Sequence, residues 1–149
     1  MRGRILQLDK NHQLIKEQLT ENGFVVDEDF TSTYDEVIAK INNYDGIIIR
    51  SRLPLDANFL EQASNLKFIA RVGAGMENIN LAKAKQLNIQ LINSPEGNQD
   101  SVAEHVLGML LLLMNRLAIA SQEVKDGVWL REENRSDDLL GKTFGILGY

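Results

Sequence analysis

The 149-residue chain has no cysteine. That absence removes disulfides, thiolate metal ligands and a cysteine nucleophile together. Histidine is nearly absent too: His12 and His105 are the only imidazoles, too few for a histidine cage, so no metal site is expected. Positive charge is in deficit, with 16 Lys and Arg against 21 Asp and Glu, a net of −5. The basic residues are scattered, which excludes the dense cationic face of a nucleic-acid binder. No long apolar run follows Met1-Arg2-Gly3-Arg4, so neither a signal peptide nor a membrane anchor is indicated, and the cytoplasm is the expected location. What is present, 44% hydrophobic and 25% charged residues, is ordinary for a soluble globular protein of one domain, or one domain and part of a second.

Apolar runs alternate with helical spacing from the start. Ile5 to Leu8 reads as a strand ending at Asp9, and Leu14, Ile15 and Leu19 mark a helix over Asn11–Asn22, stopped by Gly23. Phe24-Val25-Val26 is a second strand, and Val37, Ile38 and Ile41 mark a helix over Thr33–Tyr44. Gly46 to Ile49 is apolar on both faces, as a central strand covered by helices must be, and it ends in Arg50-Ser51-Arg52. Pro54 delays the next helix to Asp56–Ser64, with Phe59 and Leu60 inward. Phe68 to Val72, a helix over Leu81–Leu87 and a strand over Ile89–Ile92 complete five βα-type repeats. The implied fold is α/β, a doubly wound five-stranded parallel sheet with right-handed crossovers.

In such sheets ligands gather at the carboxyl ends of the strands. That rule puts Arg50-Ser51-Arg52, the stretch Arg71-Val72-Gly73-Ala74-Gly75 and the loop Asn93-Ser94-Pro95-Glu96-Gly97-Asn98 on one rim. A strand breaking into glycines before a helix presents uncovered N–H groups, suited to a carboxylate or phosphate. An empty strand-to-helix turn is the other reading of that stretch. Gly73-x-Gly75-x-x-Asn78 imitates a dinucleotide fingerprint, but Asn78 replaces the third glycine and Asn93, not an acid, stands at the end of the next strand. The carboxyl end of the third strand carries arginines rather than carboxylates, the wrong sign for the Mg²⁺ site of a receiver-type signalling domain. Arg71 precedes the loop, and its role is open at this stage.

From Asp100 the texture changes. A helix to about Ser121, capped by Gln99 or Asp100, contains the all-round apolar run Val106–Met114, which needs cover from another domain or subunit. Glu104 and His105 are helix neighbours pointing about 100° apart, so they do not form a dyad. Gln122–Asp138 reads as a polar loop apart from Val128-Trp129-Leu130, and Gly141–Tyr149 as a new strand running into glycine, where the sequence looks cut.

Taken in order, Gly46–Arg52, Arg71–Asn80, Asn93–Asn98, Ser101-Val-Ala-Glu-His105, the leucine-rich helix, Gly127-Val-Trp129 and Gly141–Gly148 resemble the D-isomer-specific 2-hydroxyacid dehydrogenases, most closely the branch that oxidises 3-phosphoglycerate in serine biosynthesis. Asn80 departs from the Asp common in the family, and either residue can cap the next helix. The resemblance implies a flavodoxin-like substrate domain over 1–98, and over 99–149 the beginning of a Rossmann nucleotide domain: its long apolar helix and first strand. It implies that Val72, Gly73, Ala74 and Gly75 hold the substrate carboxylate and that Arg50, Ser51 and Arg52 face its phosphate. Gly148 is then the one cofactor-binding residue present. NAD or NADP is the implied cofactor, the partner a second copy through helix 100–121, and the substrate a 2-hydroxy or 2-oxo acid. The catalytic arginine, histidine and glutamate of the family have no counterpart here, so the chain alone is expected to be inactive and to bind cofactor poorly. A glyoxylate or hydroxypyruvate reductase, or a non-catalytic anion-binding or assembly module, are the alternatives.

Overall fold

A computed structural model describes residues 2–148. The chain divides into two compact units, Met1–Asn98 and Gln99–Tyr149. In the first, five strands form one all-parallel sheet: β1 (Gly3–Gln7), β2 (Phe24–Glu28), β3 (Gly46–Ile49), β4 (Phe68–Arg71) and β5 (Gln90–Ile92). Their order across the sheet is β2-β1-β3-β4-β5. The winding direction therefore reverses between β1 and β3, which opens a crevice at their carboxyl ends.

Why this order holds is visible in the burial. All four residues of β3 are buried, and its register sets Ile47 beside Leu6 on one side and Ile69 on the other. Around this row pack Phe59, Leu60, Val37, Ile41 and Leu55, all essentially inaccessible. Each such side chain contributes about 1.5–3 kcal/mol by leaving water. The helices of this unit are α1 (Gln13–Glu21), α2 (Tyr34–Ile41), α3 (Ala57–Gln62) and α4 (Leu81–Gln86).

Their starts are chemically marked. Thr33 and Glu36 form a reciprocal capping box on α2, while Asp56 and Asn80 accept the Phe59 and Lys83 amides at α3 and α4. His12, expected within the first helix, instead caps α1 by accepting the Leu14 amide at Nδ1, 3.2 Å. The helices are shorter than the sequence periodicity implied because these caps and the turns after them take the terminal residues. Gly23, with φ +85°, supplies the expected stop after α1.

In the second unit the expected helix to Ser121 is two helices: α5 (Gln99–Met114) and α6 (Leu117–Lys125), bent by 60°. The break has a local cause. The Asn115 amide group returns to the Leu111 carbonyl, 3.0 Å, and Arg116 turns left-handed with φ +51°; its Nε then donates to Asn134 Oδ1 at 3.3 Å. Because α5 begins at Gln99, neither Gln99 nor Asp100 is its cap. Neither helix buries a residue; Leu113 is 75% exposed. Among the described residues no single helix is long and apolar enough to cross a membrane, although α5 and α6 would pass as a bent pair. Of the segment expected to be a further strand, residues 143–148 form none: among the described residues no strand lies beside them to complete a ladder. Tyr149 lies outside the described residues.

Candidate functional site

The carboxyl ends of β1, β3, β4 and β5 bring together the residues singled out on the rim, but with distinct jobs. The loop after β4 is shaped by what its carbonyls do. Gly73 O accepts the Ser94 amide at 2.9 Å, and Ala74 O accepts Asn93 Nδ2 at 2.7 Å. No peptide bond is cis, so the N–H across each of these peptides points the opposite way. The Ala74 and Gly75 N–H groups are thereby turned away from the β5 exit, and among the described residues they meet no acceptor. Val72 differs: its N–H is taken by Ile49 O at 2.8 Å, so of the four residues expected to cradle a carboxylate, Val72 serves as a sheet extension.

Gly73 needs to be glycine. Its φ is +145°, and a Cβ there would fall 1.8 Å from Arg71 Nη1. Arg71, left open by the sequence, thus lays its guanidinium against the loop, with Nε donating to Arg50 O at 3.2 Å. The far end of the loop is anchored by Asn78, whose Nδ2 donates to Leu53 O, and by the Leu55–Ile79 bridge. Asn78 stands where a dinucleotide loop would need its third glycine, and its side chain is committed to this anchor.

The Arg50-Ser51-Arg52 turn splits. Arg50 and Ser51 are exposed, and the Arg50 guanidinium has no ion pair or hydrogen bond among the described residues. Arg52 points inward instead. Its Nε donates to Leu8 O at 2.7 Å, Nη1 to Ser32 O at 2.5 Å and Nη2 to Asp29 O at 3.1 Å. Arg52, expected to face a ligand, directs its fork of donors at three backbone carbonyls. The loop it grips is braced again by Asp29, whose carboxylate pairs with Lys40 and accepts the Thr31 and Ser32 amides. Burial pushes the Asp29 carboxyl upward, but Lys40 and the Ser32 and Thr31 donors outweigh it and hold it well below the usual carboxylate range.

Asp9 is the contributor that strand and motif reasoning passed over, while Arg71 and Asn93 were placed on the rim by the sequence without a role. Each sits at a strand end facing the β1/β3 crevice or the glycine loop, and position on the rim was the available signal. The loop after β4 lacks the spacing of a dinucleotide loop. Five residues, including the bridge residue Ile79 and the cap Asn80, separate Gly75 from α4, which is only six residues long. Gly148 has φ +85° but follows no strand.

A family model described as D-isomer specific 2-hydroxyacid dehydrogenase, catalytic domain, matches residues 5–142. A D-3-phosphoglycerate dehydrogenase of Archaeoglobus fulgidus is 35% identical over 130 residues, 87% of this chain and 25% of that protein. A hydroxypyruvate reductase of Thermotoga maritima is 36% identical over 115 residues, 77% of this chain and 38% of that protein. Among solved structures, an NAD⁺-bound 3-phosphoglycerate dehydrogenase of Entamoeba histolytica superposes with a TM-score of 0.66 at 27% identity, covering 77% of this chain and 40% of that one. The chain therefore spans between a quarter and two-fifths of the length of these proteins.

Proposed function

Since the chain belongs to the D-isomer specific 2-hydroxyacid dehydrogenase family, we propose that it supplies the substrate-positioning part of an NAD- or NADP-dependent oxidoreductase acting at C2 of a 2-hydroxy acid. The observation that carries this is the pair of N–H groups at Ala74 and Gly75 without a hydrogen-bond partner among the described residues, in a loop that has the Arg71 guanidinium against Gly73 and the Glu77 carboxylate against Gly75. Two N–H groups suit a carboxylate, and charge-assisted bonds from arginine suit a second anionic group. The substrate in this reading is 3-phosphoglycerate: Ala74 and Gly75 hold the acid end, with Gly73 giving the loop its shape, while Arg50, Ser51 and Arg71 face the phosphate.

Hydroxypyruvate or glyoxylate is the second reading, favoured by the 36% identity to a hydroxypyruvate reductase. A non-catalytic anion-binding module is weakened by membership of an enzyme family. In the proposal the cofactor and the groups that move the proton are held by parts of the enzyme that residues 2–148 do not supply, so the isolated chain is inactive. Residues 1–98 form the substrate domain and 99–149 belong to the nucleotide domain. A second copy covers the apolar surface of α5, where Leu107, Met109 and Leu111–Leu113 are exposed. The work is cytoplasmic serine biosynthesis.

The test is Arg50→Ala in the enzyme carrying this chain. Loss of one charge-assisted contact, about 1.5–3 kcal/mol, should raise KM for 3-phosphoglycerate about tenfold or more and leave KM for an unphosphorylated 2-hydroxy acid within about twofold. Equal effects on both substrates refute the phosphate assignment.

A further inference from the structure

Asp9 leaves the end of β1 and reaches across the crevice to the end of β3. Its Oδ2 accepts the Arg50 amide at 2.7 Å and lies 3.5 Å from the Arg52 amide. Its own carbonyl is gripped in turn by Gln7 Nε2 at 3.2 Å and Asn11 Nδ2 at 2.9 Å. Arg52 returns the contact in the opposite direction, side chain to backbone, through Leu8 O. The backbone of each strand end is thus held by a side chain from the other. Between the two held amides stand Arg50 and Ser51, both exposed.

We infer that Asp9 is a positioning residue: its carboxylate, with Arg52, clamps the Arg50-Ser51 turn in the form that presents the Arg50 guanidinium to the substrate's phosphate. The role of the turn rests on the proposed substrate reading; the clamp itself does not. The negative charge of Asp9 works against phosphate binding, so its benefit must be geometric. Asp9→Asn and Asp9→Ala therefore separate charge from geometry, since asparagine keeps an oxygen acceptor and alanine keeps none.

The experiment uses the 149-residue chain labelled with ¹⁵N and reads two quantities: amide exchange at Arg50, and the response of the Arg50–Arg52 amides to inorganic phosphate. In Asp9→Ala, exchange at Arg50 should quicken about tenfold or more, as expected for loss of a bond to a charged acceptor. The phosphate response should weaken by a similar factor, while Ile47–Ile49 resonances and the Ala74 and Gly75 response to acetate stay as in the unmutated chain. Asp9→Asn should hold exchange within about threefold and bind phosphate at least as well as the parent. Unchanged exchange in Asp9→Ala overturns the clamp. If Asp9→Ala fails to fold, Asp9→Asn decides the matter: Arg50 exchange held within about threefold with phosphate binding at least as strong supports the clamp, and phosphate binding weakened while Arg50 exchange is unchanged overturns it. Should the unmutated chain ignore phosphate, the substrate reading fails, and the clamp stands or falls on the Arg50 exchange rate.

Discussion

Arg52→Ala separates a staple from a ligand. The guanidinium ties the end of β1, through Leu8 O, to the loop after β2, through Asp29 O and Ser32 O. Bonds to a charged donor contribute about 1.5–3 kcal/mol each when desolvated, but Arg52 is half-buried and water can replace part of what is lost. Three such bonds, discounted for that access, give about 2–4 kcal/mol of lost stability. Against a typical total of about 5–15 kcal/mol for a domain, that is a large fraction. Urea unfolding should show the midpoint falling with an unchanged slope, the mark of lost stability without a change in exposed surface. Arg52→Lys should recover little, because an ammonium cannot span three carbonyls set in a fork. Arg50→Ala is the control, with a shift below about 0.5 kcal/mol expected for a surface side chain without partners. If Arg52→Ala unfolds within that same margin, the staple assignment is wrong and the side chain is free to serve a ligand.

Two further predictions follow from the same rim. Asp29 titrates below its unfolded value in the folded state, so its contribution is fully present above the ordinary aspartate pKa of about 3.9 and is lost as pH falls further through the lower folded value. Acid unfolding followed by circular dichroism should therefore be shallower below about pH 4 in Asp29→Asn than in the parent, and superimposable curves would show that the Lys40 pairing contributes nothing. Gly73→Ala forces a side chain into a φ of +145°; a loss of about 1–3 kcal/mol in thermal unfolding is expected, together with loss of any response of the Ala74 and Gly75 amides to acetate. An alanine variant as stable as the parent would show that the loop does not need this conformation.

The sheet was legible because its signals are local and strong. Ile47-Ile48-Ile49 can only be a strand covered on both faces, and five apolar runs separated by capped helices admit few topologies. Helix ends were less legible: Thr33 and Asp56 act from outside their helices, where periodicity does not reach, whereas Asn80 was readable as a cap from its residue type. The break at Asn115 and Arg116 was hidden because both residues look polar and helical, while the bond that bends the chain depends on an amide folding back to Leu111. Within the candidate site, Gly73 to Gly75 were singled out because a strand breaks into glycines before a helix at the sheet rim. The split between Arg50 and Arg52 was not, because residues two apart share a face in a strand, and the chain leaves β3 at Ile49 and turns before either arginine is placed. Which arginine meets Leu8, Asp29 and Ser32 is a fact about two other segments, the end of β1 and the loop after β2.

That division of labour has an energetic logic. A free Arg50-Ser51 turn would lose about 1–2 kcal/mol of backbone entropy per residue each time a ligand ordered it. Asp9 and Arg52 order it at folding instead, as Ser94 and Asn93 order the glycine loop through its carbonyls. Both halves of the rim thus commit carbonyls or neighbouring charges to the protein so that N–H groups and one guanidinium remain uncommitted. In the proposed role, binding an anion there would require desolvation of the donors and little rearrangement, and the affinity retained would be larger for it. By the same reasoning, a substitution that loosens either loop should weaken binding without touching a ligand atom, so the residues that matter to this site extend beyond those that line it.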